Sequence, residues 1–412
     1  MSAWLAKLGD DYSRHVAHGD FASALAIARQ ALAVAPGNAG VLADAGFCLM
    51  RLEQYPQAYA SYRKALQHGP DVVNTLDGMA ELCGHMKRMD ESRIHMRRSL
   101  TLKARQVSSL PARALPAASA PMFHAAQRSR HVIAFSLFGE NPRYCETAVL
   151  NARIADKHFP AWICRFYVDE SVPADVVQRL LQLGSEVISV DADTRRGISP
   201  LMWRFLVAAD PQVDRFMIRD ADSLFSVREE VAVQAWLESG RWFHLMRDYF
   251  THSELILAGM WGGCGGVFTD ILADMRNFVA GQKRPSRRTI DQEYLRERVW
   301  PTLAQSVLVH DSISGLPGTV AFPPHPPHGL GDTFHVGGNA GSAVIGGEVG
   351  EGVSHVHWHV VDENGEEVCR YRTSVAGTRW STGLPMEYAA AIRANRWTIE
   401  VMQTTPSDRL NR

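Results

Sequence analysis

RFMIRDADSLFSVREE, residues 215–230, is a short apolar run that ends in two aspartates set among arginines. Read as a buried strand, RFMIRD delivers Asp220 and Asp222 to its carboxyl end. An Asp-x-Asp pair there brings two carboxylates to one point, where they can hold a divalent cation that neutralises a pyrophosphate. The tripeptide alone is a weak signal, and a solvated turn is its commoner reading. Its surroundings favour a site: Arg219 precedes it and Arg228 follows it, and charge packed this densely beside an apolar strand calls for a partner or an anion. A second pair, Asp191-Ala192-Asp193, also follows an apolar run.

HVIAFSLFG (131–139), WICRFYVD (162–169) and SEVISVD (185–191) read as further short strands. Helical spacing separates them, with Ala148, Ala152 and Ala155 in 142–158 and an amphipathic stretch from Asp175 to Leu183. This alternation predicts an α/β fold, a mostly parallel sheet with helices on both faces. Ligands of such sheets sit at the carboxyl ends of the strands, so the chemistry is expected in the loops after Leu137, Asp169, Asp191 and Arg219.

The first hundred residues follow a different rule. Phe21, Tyr55 and Met89 recur at a constant step, as do Ala24, Ala58 and Ser92, then Ala31, Ala65 and Ser99, and Pro36 with Pro70. Small residues at fixed places let paired helices approach, and proline stops the second helix. The pattern resembles the tetratricopeptide repeat, with its middle copy, about 39–72, the best match. Residues 1–105 are therefore expected to form an all-α array whose concave face receives a protein partner. A dimerisation platform or a passive stabilising cap is the alternative, and the former leaves a homo-oligomer open. SSLPARALPAASAPMF (108–123) is rich in Ala, Ser and Pro, which places a linker at 106–128.

Composition narrows the function. Lys plus Arg number 43 and Asp plus Glu 44, a balance that argues against a bulk nucleic-acid binder. No stretch reaches the length of an apolar membrane span, and the opening residues lack the pattern of a secretory signal. Six scattered cysteines, none in a Cys-x-x-Cys pair, suit a reducing compartment, so a cytoplasmic location is expected.

With these residues in view, 131–315 resembles a GT-A-fold glycosyltransferase of the glycogenin-like or bacterial galactosyltransferase-like retaining groups. The matching stretches are FSLFGENPRYCETAVLNA, RFYVDESVP, the long block around RDADS, FHLMRDYFTH, LAGMWGG, TIDQEYL and VHDS. The resemblance implies a GT-A domain at 129–320. Residues 321–412 lie outside it and read from their own composition as a lid loop and a small β-rich appendage. The resemblance also implies that Asp220 and Asp222 bind Mn²⁺ or Mg²⁺, with His310 as third ligand and His335 as its rival. Ser136, Leu137, Phe138 and Tyr144 would hold the base of a nucleotide sugar, UDP-sugar favoured. Arg204, Arg219 and Arg247 would meet its phosphates or the motif carboxylates, and Gly259 and Gly262 would form a small-residue loop under the sugar. Asp248 would bind sugar hydroxyls, and Asp291 and Gln292 would face the anomeric carbon. Asp191 and Asp193 then become a loop or a ribose contact. No lysine follows His310 or His335 at the spacing of the glycogenin-like His-x-x-Gly-x-x-Lys signature.

The expected function is transfer of a sugar to a protein or glycan acceptor recruited by the repeats, with retention favoured by analogy. The rival is a non-enzymatic tetratricopeptide adaptor carrying a degenerate transferase fold. A nucleotidyltransferase would want a Gly-rich basic loop after the first strand, and FSLFGENPRY is poor in both. In the C-terminal part, FPPHPPHGLGDTFHVGG (322–338) reads as an irregular lid, and 354–372 as a hairpin turning at Asn364-Gly365. His355, His357 and His359 alternate there, so they share one strand face.

Overall fold

The computed structural model describes residues 2–69, 72–282, 289–327 and 334–404. Six helices open the chain: α1 (Ser2–Ala17), α2 (Phe21–Val34), α3 (Ala39–Arg51), α4 (Tyr55–His68), α5 (Val73–His85) and α6 (Met89–Val107). Phe21, Tyr55 and Met89, the recurring positions, each start the second helix of a pair. Asp20 and Asn38 cap α2 and α3 by accepting hydrogen bonds from the Ser23 and Val41 amides. The small residues of the repeat (Ala24, Ala58, Ala65, Ser92, Ser99) are all buried where helices meet. Pro70 lies outside the described residues.

The stretch expected as a linker is docked on the sheet domain as a strap. The chain beyond α6 runs irregularly over the next layer, held where Arg113 N donates to Thr302 Oγ1 (2.9 Å) and Ala120 N to the Gly240 carbonyl (2.9 Å). The Trp242 indole donates to the Ala117 carbonyl (2.9 Å).

A seven-stranded sheet follows, with β1 (His131–Leu137), α7 (Pro142–His158), β2 (Ile163–Val168), α8 (Ala174–Gln182), β3 (Glu186–Ser189), α9 (Ala192–Gly197), β4 (Arg215–Arg219), α10 (Val227–Glu238), β5 (Phe243–Arg247), β6 (Met260–Cys264), α11 (Ile271–Gly281), α12 (Ile290–Tyr294), α13 (Trp300–Leu303) and β7 (Val307–Asp311). The strand order is β3-β2-β1-β4-β6-β5-β7, and β6 alone runs against the others. Alternation along β1 divides the interior. Val132 and Ala134 face a core built on Trp203, Phe205, Trp261 and Tyr294, while Ile133, Phe135 and Leu137 face α7 and α10. The four strands around β1 are those expected from the sequence. Most of AGMWGG, expected as a loop, is strand: Met260–Gly263 belong to the wholly buried β6.

The remaining chain forms β8 (Ala343–Glu348), β9 (His355–Val361), β10 (Glu367–Ser374), β11 (Arg379–Leu384), α14 (Met386–Arg393) and β12 (Thr398–Thr404). β8 pairs with β11, and β9 lies between β10 and β12. The β9–β10 hairpin turns through Asn364-Gly365 as expected. Residues 328–333 of the expected lid lie outside the described residues. This part packs on α7 through Glu146, a fully buried carboxylate that accepts from Tyr371 Oη (2.6 Å), Tyr388 Oη (3.1 Å) and the Arg179 guanidinium (2.7 Å). No described helix is long and apolar enough to cross a membrane.

Candidate functional site

β2 and β4 flank β1 on opposite sides, so successive connections diverge there and leave a crevice at the carboxyl ends. Two segments meet in it. Ser136, Leu137 and Phe138 end β1, and Asp220-Ala221-Asp222 continues β4. A ten-residue 3₁₀ segment, Pro200–Ala209, passes beneath and supplies Arg204. The Arg204 backbone N–H donates to Ser136 Oγ (3.0 Å), which ties the segment to the end of β1.

The buried Arg204 guanidinium organises the acids. One Nη bonds Asp220 and the Arg219 carbonyl (3.1 Å), and the other bonds Asp291 on α12 (3.1 Å). Burial holds the Asp291 carboxyl above its ordinary range, with Arg204 pulling the other way. Asp222 is gripped by Arg143 in the first turn of α7 (2.7 and 3.2 Å). Its pKa is raised too, first by burial and then by Asp220, against the pull of Arg143. Both Arg143 bonds end on the same Asp222 oxygen, and Arg204 holds the other Oδ of Asp220 than the one facing Gly259. Each carboxylate thus keeps an oxygen that no arginine among the described residues engages. Two clustered acids, one destabilised by the other, suit a divalent cation that takes its remaining ligands from water and a phosphate.

Gly259 shows how tight the site is. A Cβ there would overlap the Asp220 carboxylate, so only glycine fits the start of β6. Residues 334–341 close the other side. Ala340 N donates to the Asp222 carbonyl (2.7 Å), Asn339 forms an isolated bridge with Ser223, and Val336 N donates to Asp248 Oδ2 (3.0 Å). His335 on this segment stacks on Tyr249 (centroids 4.0 Å) and meets His252 edge-on (5.1 Å). His252 Nδ1 accepts from the Asp248 amide (2.9 Å), and burial lowers its pKa to about 3, so the ring is neutral.

Among the expected residues, Ser136, Arg204, Asp220, Asp222, Gly259 and Asp291 come together. Phe138 and Tyr144 are half-exposed at the rim, Phe138 edge-on to Trp203 (5.9 Å). Gln292 follows Asp291 on α12, its backbone N–H donating to Asp291 Oδ1 (2.9 Å). Asp248 lies beside the group but its oxygens are taken by Arg228 (2.6 Å), Ser312 Oγ (2.6 Å) and Val336 N. It ties loops together and is not free for sugar hydroxyls.

The others are placed elsewhere. Leu137 is buried in the core. Arg219 does not point to the crevice; it pairs under the sheet with Glu229 of α10 and donates to the Trp261 carbonyl (3.2 Å). Arg247 is buried, with its guanidinium donating to the Glu254 and Leu255 carbonyls (3.0 and 2.5 Å) and paired with Asp311 (3.6 Å). Gly262 lies mid-strand, where a Cβ would press the Phe216 carbonyl at 2.7 Å; it serves sheet packing, not a sugar loop. His310 is separated from β4 by two strands and bonds His244 Nε2 through Nδ1 (2.8 Å), so it cannot share a cation with Asp220. Among the described residues no three His, Cys, Asp or Glu side chains are grouped to hold a metal, the His355/His357/His359 face included. Asp191 caps α9, accepting from Thr194 N (2.9 Å), and Asp193 pairs with Arg276 (2.6 Å).

Sequence reasoning missed Arg143, Tyr249 and His252. Arg143 had a signal: Asn141-Pro142 is a helix start directly after β1, where first-turn residues face the crevice. Nothing in sequence singles out Tyr249 or His252 within a loop.

A family model, the tetratricopeptide repeat, matches residues 15–82. No curated protein matches. Among solved structures, the TPR2A–TPR2B domain of yeast Sti1 in an Hsp90 complex aligns at 18% identity over 24% of this chain and 39% of that one, with a TM-score of 0.23. The Sti1 TPR2B domain in an Hsp70 complex aligns at 18% over 24% and 80%, TM-score 0.24. A mutant O-GlcNAc transferase of Thermobaculum terrenum aligns at 17% over 48% and 45%, TM-score 0.26. Scores this low carry no argument about the sheet domain. The chain spans about two fifths of the first of these structures. The N-terminal region is a tetratricopeptide repeat array, and an α/β region with small antiparallel sheets follows it.

Proposed function

We propose that the chain is a metal-dependent glycosyltransferase of GT-A type that moves a sugar from a nucleotide-sugar donor, UDP-sugar favoured, to a protein or glycan acceptor. One observation carries the reading: two carboxylates, Asp220 and Asp222, stand at the carboxyl end of a central strand, at the topological switch beside β1. Asp220 and Asp222 would hold the cation. Mn²⁺ loses the argument that an imidazole ligand lent it, because His310 is elsewhere, so Mg²⁺ serves equally. When bound, the cation supplies positive charge to the departing diphosphate.

The chain's own residues do the rest. Arg143 and Arg204 lie against the two acids and add positive charge where negative charge grows on the leaving group. Phe138 and Tyr144 offer half-exposed rings for the base. Asp291, buried beside Arg204, is assigned to the sugar, whose transition state is oxocarbenium-like. Retention is assigned by analogy with the retaining groups that the sequence resembles.

The repeats supply the acceptor surface in this reading. A cleft of about 240 Å³ between α1, α2 and α3 is lined by Tyr12, Ile27, Val41 and Asp44, apolar walls with one acid. A protein segment with a basic residue fits it. The confinement of the family match to 15–82 favours a second reading, an adaptor without chemistry.

Asp222→Asn decides between the two. It keeps the shape and removes the charge, so Mn²⁺- or Mg²⁺-dependent hydrolysis of a UDP-sugar should fall by about 100-fold or more. Turnover equal to wild type would remove the cation-site assignment, and no turnover by either protein with any donor would favour the adaptor.

A further inference from the structure

We propose that the third helical pair, α5–α6, is a positioning element of the site and acts through the β5–β6 loop, residues 248–259. The functional half of this inference rests on the reading above.

The loop has two sets of contacts. Toward the site, Asp248 fastens residues 312 and 336, Tyr249 stacks on His335, His252 accepts from the Asp248 amide, and Gly259 abuts Asp220. Toward the repeats, Phe250 lies on α5. A Cβ at Gly84 would overlap its ring, and the three nearest atoms to that Cβ all belong to Phe250. The His85 ring meets Phe250 edge-on (5.1 Å) and is stacked in turn on Tyr55 (5.6 Å). Tyr249 and Phe250 are neighbours in the chain, so one backbone position separates the site-facing ring from the repeat-facing one.

Lys103 makes the second anchor. Its side chain is fully buried, and Nζ donates to Asp77 of α5 (2.8 Å) and the Ser253 carbonyl (2.6 Å) and pairs with Glu254 (2.8 Å). A buried ammonium with three acceptors tolerates no other arrangement of them, so it sets register more than it adds stability. Leu255 packs with Met96 and Leu100 in one apolar cluster. α6 also holds the neighbouring loop, with Arg93 Nε donating to the Ile313 carbonyl (3.1 Å) and Arg97 Nε to that of Ser314 (3.3 Å). Ser312 of that loop bonds Asp248. Both loops that frame Asp248 are therefore pinned from the helical side. An irregular loop without such anchors belongs to the least stable parts of a fold.

The test uses full-length protein and two readouts: hydrogen exchange of amides 248–259, and calorimetric titration with UDP in the presence of Mn²⁺ or Mg²⁺. Gly84→Ala should accelerate exchange in the loop and weaken UDP–metal binding about tenfold, the effect of losing a group that orients ligands. Phe250→Ala combined with Gly84→Ala should match Phe250→Ala alone, because the added methyl then has no ring to meet. Leu25→Ala, in α2 and away from the loop, should lower the urea midpoint and leave both readouts alone. Unchanged loop exchange in Gly84→Ala overturns the proposal, as does faster exchange with unchanged affinity, or an equal response in Leu25→Ala. If wild type binds no UDP–metal at all, the glycosyltransferase reading fails, and exchange alone decides whether the repeats hold the loop.

Discussion

Single side chains define what the crevice tolerates. Gly259→Ala places a methyl against the Asp220 carboxylate. Overpacking of this kind costs about 1–3 kcal/mol, and the displaced acid should lower cation affinity about 10-fold or more. Calorimetric titration with Mn²⁺ checks this; an unaltered affinity would show that Asp220 is not a ligand. The His244–His310 pair gives a pH signature away from the site. Burial lowers the His310 pKa from 6.5 to about 4, so the ring is neutral in the fold and protonates first in the unfolded chain. The associated stability is present above pH 6.5 and is lost as pH falls through that window toward 4. Urea midpoints should decline over this range, and less steeply in His310→Gln. Parallel slopes would mean that the ring is already charged in the native protein.

At the scale of elements, α6 carries the decisive contact. Lys103→Met removes a buried cation and leaves Asp77 and Glu254 facing each other across the interface. Breaking such a set costs about 3 kcal/mol, and restoring a methylene stem does not replace the charge. Urea unfolding measures it, and a change below about 1 kcal/mol would mean that water reaches the site. The elements differed in how plainly the sequence showed them. The repeats were legible because Phe21, Tyr55 and Met89 mark helix starts at a constant step, and β1 to β4 because each is a compact apolar run. β6 was hidden: glycines usually punctuate loops, and here Gly262 and Gly263 are glycine because Phe216 and Phe243 crowd the strand. Side-chain direction was the other blind spot. Arg204 and Arg219 look alike in sequence, yet alternation along β4 turns Arg219 toward α10 while Arg204 rises from a 3₁₀ segment into the crevice. The metal role expected for His310 fails for a different reason: a strand-end position says nothing about which strand lies next to it.

The whole molecule is held by contacts that cross every boundary the composition suggests. The strap at 108–127 runs over the sheet, the repeats lie against the β5–β6 loop, and the C-terminal strands share a core with α7. Scanning calorimetry should accordingly record one cooperative transition for the full chain. Two resolved peaks, with the helices melting alone, would contradict so continuous an interface.

Glu146 carries this furthest. Its carboxylate is sealed inside α7, and its phenolic partners come only from the last quarter of the chain. Trimming that quarter would strand an anion in an apolar wall with Arg179 as its sole companion. Natural relatives that dispense with those strands should therefore carry an uncharged residue at this place, so a sequence survey could recognise the loss of the tail from one letter far upstream.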